Sequence, residues 1–141
     1  MDKERILLKL DEIFSYLDEL EKIKRVNFEN YNRSIEIKRA CERLLQISIE
    51  GVIDVCYMMV SKIKLGLPPD EENIFKKLYE NKVLTQKMFF ILENMKGFRN
   101  VLVHKYGTID NELVFEFLSD KIGDFERFKE EILKYLNKNK K

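Results

Sequence analysis

An all-α, up-and-down bundle of about five helices is the fold this sequence predicts, on three observations. Apolar residues recur at alternating spacings of three and four through most of the chain, the period of a helix with one buried stripe. Hydrophobic residues make up 45% and charged residues 36%, which suits broad apolar faces backed by charged ones. Only 5 Gly and 2 Pro occur in 141 residues, too few to turn the many short strands of an all-β fold. That length suits one domain with one substantial core, read here as residues 1–141 with a frayed tail over about 138–141.

The first helix is expected from about Asp2 to Lys24, with Ile6, Leu10, Ile13, Leu17 and Leu20 on one face. An Asn-rich polar stretch follows at Asn27 to Asn32. The second helix is expected from about Tyr31 or Asn32 to Leu65, stopped by Gly66 with Pro68 and Pro69 beyond it. Its middle is apolar around much of the circumference, so it needs partners on several sides and should be central. Ser48 and Gly51 would let another helix approach closely, within this chain or from a second copy. A short helix is expected near Glu71 to Asn81. Thr85 should cap a further helix through Met88, Leu92 and Met95, weakened or bent at Gly97. Asp110 should cap one final helix, with Val114, Phe117, Leu118, Ile122, Phe125, Phe128 and Ile132 facing inward.

Charge and cysteine usage narrow the classes of function. A net charge of +1 gives no global field for gripping nucleic acid, so any RNA contact must be local or built by a dimer. Lys62, Lys64, Lys96 and Lys105 are the candidates for a local basic rim. Cys41 and Cys56 fall on one helix, roughly 22 Å apart at 1.5 Å per residue, too far for a disulfide. With one His in the sequence they make no zinc site of ordinary spacing, and both read as small buried residues in a reducing compartment. The charged N-terminus lacks a signal-peptide core, and no later stretch is expected to span a membrane, so a cytoplasmic location is expected.

The segment Gly97-Phe98-Arg99-Asn100-Val101-Leu102-Val103-His104-Lys105-Tyr106-Gly107 is the one that suggests chemistry. Phe98, Val101 and Leu102 anchor it, and Arg99, Asn100 and His104 stand among them as polar groups. Histidine exchanges protons near neutral pH, and arginine presents a planar, permanently charged fork to phosphate oxygens. Together they suit metal-independent RNA cleavage, in which a 2′-hydroxyl attacks the adjacent phosphorus. On a continuous helix, however, His104 lies about 140° round from Arg99. Convergence needs a helix break between Val103 and Gly107, or a second chain. Spacing alone also leaves a structural Arg–His–Tyr network open.

The run Arg99-Asn100-Val101-Leu102-Val103-His104-Lys105-Tyr106 resembles the R-x-x-x-x-H-x-Y signature of HepT-like HEPN proteins. Arg39 to Ile47 is similar to that family's central-helix segment, and Tyr106 to Asp110 to its lead into the last helix, so the likeness spans about Glu36 to Leu118. The resemblance implies a dimerising bundle with the motif at a cleft between copies. It also implies the toxin of a type VII-like toxin–antitoxin pair, partnered by a minimal nucleotidyltransferase. Arg99 and His104 would form the ribonuclease site, Asn100 would orient it, and Tyr106 would receive AMP from the partner. No cofactor, metal or DNA is expected. The alternative is a non-catalytic partner that presents Tyr106 or a cleft to the nucleotidyltransferase.

Overall fold

The computed structural model describes residues 2–66, 70–104 and 108–138. Among them seven helices and no strands occur: α1 (Asp2–Ile23), α2 (Phe28–Arg33), α3 (Ile35–Lys62), α4 (Ile74–Glu80), α5 (Gln86–His104), α6 (Asn111–Asp120) and α7 (Gly123–Lys138). The all-helical bundle is as expected. The two extra helices come from segments read too simply.

One is α2. Asn27 accepts a hydrogen bond from the Asn30 backbone N–H at 2.9 Å, capping a helix in a stretch that looked merely polar. Two aromatics at i and i+3 supply its apolar face. Phe115 of α6 meets the Phe28 ring at 5.7 Å and the Tyr31 ring at 5.6 Å. The other arises because the final helix is two. Lys121 caps α6, and the N–H groups of Asp124 and Phe125 close a turn onto the carbonyls of Lys121 and Ile122. Gly123, a poor residue for a helix interior, opens α7. Asp110 does cap α6, accepting from the Glu112 and Leu113 N–H groups.

The α3 helix is the centre, packed by α1, α2, α4 and α5. It starts later than expected, because Ser34 takes the Ile37 N–H at 3.2 Å and fixes the first turn. Its partner α1 runs antiparallel: Lys9 sits 3.7 Å from Asp54, and Ile13 lies against Gly51. Gly51 thus serves packing within the chain. The expected stripe on α1 is buried, from Ile6 to Leu20. By length and composition α3 would pass as a membrane span, contrary to expectation, but 56% of its most apolar window is buried inside the bundle. Both cysteines are free and buried in that packing, which raises their thiols, Cys41 to about 11.

Gly66 does not end α3. Gly66 does have φ 92°, but the helix closes two residues earlier on Lys64, with φ 55°; its N–H bonds the Ser61 carbonyl and the Leu65 N–H bonds the Val60 carbonyl. This is a Schellman turn with lysine where glycine is favoured. The same pattern closes α4, where Lys82 has φ 62° and the Val83 N–H reaches the Leu78 carbonyl at 2.9 Å. A non-glycine residue in this region costs roughly 1–2 kcal/mol. Lys64→Gly should therefore stabilise the fold by about 1 kcal/mol despite its extra unfolded-state freedom, measured by urea unfolding.

Ahead of α5, Thr85 caps as expected: its Oγ1 accepts the Met88 N–H at 3.1 Å. Glu131 of α7 takes both the Thr85 N–H and hydroxyl at 2.8 Å, which ties α7 to the start of α5. Gly97 neither ends nor interrupts α5, which is helical to His104. The expected frayed tail, apart from Lys138 at the end of α7, lies outside the described residues.

Candidate active site

The α5 helix positions Arg99, Asn100 and His104 because Phe98 locks its C-terminal half to α6. The Phe98 and Phe117 rings stack with centroids 4.3 Å apart and planes 9° apart. With Phe98 fixed inward, the next residue round the helix, Arg99, is directed along a different face toward α3 and the approach to α4.

There the Arg99 side chain is only 12% exposed and its guanidinium is held on three sides. It contacts the Glu71 carboxylate directly, lies 3.8 Å from a Glu50 oxygen, and donates from Nε to the Asn100 Oδ1 at 2.9 Å. Gln46 donates to the same Glu50 oxygen at 3.2 Å, fixing it from behind. Both carboxylates keep more than a third of their side-chain surface in water, so these pairs orient Arg99 more than they stabilise the fold. Asn100 thus touches the guanidinium through its side-chain oxygen.

His104 is different. It is exposed at the last residue of α5, about five residues and 7.5 Å of rise beyond Arg99. Because the helix is unbroken up to His104, the two groups project about 140° apart around one axis. Helical spacing sets His104 instead on the face of Asn94, Gly97 and Val101. Those residues line an open groove of about 400 Å³ bounded by Leu113, Glu116 and Lys121 of the α6 region. One copy of the chain, over the described residues, does not bring Arg99 and His104 together. Tyr106 and Lys105 lie outside the described residues.

The expected basic rim is partly spent. Lys96 is 13% exposed, with its ammonium 3.6 Å from Glu93, 3.4 Å from the Glu71 carbonyl and over the Phe75 ring. Sequence reasoning missed Glu50 and Glu71. Glu50 had a signal, a lone carboxylate inside the apolar run from Ile47 to Ile53 of the central helix. Glu71 had none, since its place depends on how the chain leaves α3.

A helical bundle that sets an arginine among carboxylates and an exposed histidine at the end of one helix is the class defined so far. The chain belongs to the ribonuclease HepT-like family, whose model matches residues 13–132. It is 31% identical over 128 residues to a tRNA nuclease HepT of Aphanizomenon flos-aquae, covering 91% of this chain and 87% of that one. An mRNA nuclease HepT of Shewanella oneidensis is 31% identical over 84 residues, 60% of this chain and 63% of its own. Among solved structures, a tri-AMPylated Shewanella oneidensis HEPN toxin in complex with MNT antitoxin has the same fold. That match has TM-score 0.83, 23% identity, and coverage of 92% of this chain and 96% of that one.

Proposed function

We propose that this chain is the toxin ribonuclease of a toxin–antitoxin pair, cutting RNA without a metal at a site made from Arg99 and His104. Membership in the ribonuclease HepT-like family, with Arg99 and His104 at the family's spacing, is the observation that carries the reading. His104 takes the proton from a ribose 2′-hydroxyl as its oxygen bonds to phosphorus. The phosphorus–5′-oxygen bond then breaks, and the departing oxygen receives a proton. Arg99 neutralises the charge that builds on the phosphate oxygens. Asn100 and Glu50 keep its fork in place, and Glu71 holds the position that the phosphate takes when RNA binds.

The angle between Arg99 and His104 on α5 supports a homodimer, in which a second copy closes the groove along Asn94, Gly97 and Val101 and supplies the missing side of the site. Exposed Leu113, which lines that groove, is an apolar group suited to that contact. Regulation by the same modification is supported by the solved relative, an AMPylated toxin in complex with its antitoxin: in this chain a partner nucleotidyltransferase would transfer AMP from ATP to the Tyr106 oxygen, releasing pyrophosphate. The added phosphodiester places negative charge two residues from His104 and repels RNA.

Purified chain incubated with RNA in excess chelator should cleave it, and His104→Ala should lower cleavage at least a hundredfold with unchanged folding. Undiminished cleavage by the variant contradicts the assignment of His104. No cleavage by the unmodified chain contradicts the ribonuclease reading.

A further inference from the structure

Arg99 faces two carboxylates and Lys96 is engaged, while the whole chain carries a net charge of only +1. Among the described residues the cations of α5 are thus partly neutralised, and further cationic surface would add to affinity for an RNA backbone. A cavity of about 530 Å³ lies at the opposite end of α5, between the α4–α5 turn and the outer face of α7. Thr85 marks that end, so the cavity is about 28 Å along the helix from His104.

Lys82, Lys134 and Lys138 all line it and all are exposed. None of the three ammonium groups has an ion-pair partner among the described residues. Two carboxylates share the cavity. Glu131 is taken up by Thr85, and Glu130 remains as a counter-charge. The aromatic part is prearranged. Tyr79 lines the cavity, 37% exposed, and its ring stacks on Phe89 at 5.6 Å with planes 24° apart. Phe90, which is exposed, packs on Phe89 in turn at 5.3 Å. An exposed aromatic backed by a second ring, beside several unpaired lysines, is the combination that holds unpaired bases and their phosphates.

We propose that this cavity is a second RNA-binding site, which takes a single-stranded segment of the substrate remote from the cleaved bond. A base packs on Tyr79, and the flanking phosphates lie on Lys82, Lys134 and Lys138. The proposal rests on the ribonuclease reading for its ligand. The exposed rings favour RNA over an acidic protein surface, which would need only the lysines.

The test uses the full chain carrying His104→Ala, to prevent turnover, and a labelled single-stranded RNA of about a dozen nucleotides. Fluorescence anisotropy should show binding weakened about tenfold by Lys134→Ala with Lys138→Ala. The slope of log affinity against log salt should fall by about 1.4. Tyr79→Ala should weaken binding about tenfold with the slope unchanged. In the active chain, the lysine pair should raise KM for the long RNA and leave cleavage of a dinucleotide as it was. Unchanged affinity and KM in the lysine pair overturn the proposal while leaving the ribonuclease reading intact. Loss of nucleotidyltransferase binding with RNA affinity unchanged overturns it in favour of a protein surface. If the active chain cuts no RNA but the lysine pair still governs RNA binding, the site stands and the ribonuclease reading fails.

Discussion

Arg99→Lys should lower RNA cleavage by two to three orders of magnitude while changing unfolding free energy by less than about 1 kcal/mol. Lysine keeps the positive charge but not the fork. It cannot donate from one planar group to Asn100 and to a phosphate at once, and its ammonium is a point charge free to settle between Glu50 and Glu71. The loss should fall on kcat, because the contact it removes strengthens as charge gathers on the phosphorane. Single-turnover cleavage with urea unfolding of the same preparations separates the two effects. A variant with near-normal turnover would mean that charge alone suffices. A variant that unfolds several kcal/mol more easily would mean that Arg99 is chiefly a structural strut.

The second large effect concerns packing of α1 on α3. A Cβ at Gly51 would lie 2.6 Å from Ile13 Cγ1, inside contact distance, and Cγ1 hangs directly on the branched Cβ, whose χ1 is stiff in a helix. Gly51→Val should destabilise by about 2–3 kcal/mol, since the helices must separate along a well-filled interface. For a chain of this size that is a fall in Tm of roughly 5–10 °C, readable by circular dichroism. Gly51→Ala should cost less, because the same clash is partly offset by about 1 kcal/mol of helix propensity. Ile13→Ala should rescue part of the Gly51→Val loss in a double-mutant cycle, whereas additive losses would place the clash elsewhere.

Most of the bundle was legible because periodicity is local information. The α1 stripe, the wrap-around apolar surface of α3, and the Thr85 and Asp110 caps all depend on residues within a turn or two of one another. What escaped depended on competition or distance. The apolar stripe of the last third continues across Gly123, so the pattern alone read one helix where the backbone turns between α6 and α7. Gly66 looked like the terminator of α3, yet the Schellman bonds close two residues earlier on Lys64. In the candidate site, the motif supplied the candidate residues, and helical spacing supplied the angle between Arg99 and His104 that the unbroken α5 keeps. The carboxylates that hold Arg99 were not, because Glu50 and Glu71 reach it across 49 and 28 residues of sequence.

The central claim is that a substrate phosphate takes over the guanidinium that Glu71 now holds. A crystal structure of the His104→Ala chain bound to RNA with a 2′-O-methyl group at the cleavage position tests it most directly. The account predicts a phosphate oxygen in hydrogen-bond contact with Arg99, with Glu71 displaced. Arg99 still seated on Glu71 and Glu50, with the RNA phosphate held elsewhere, would contradict it.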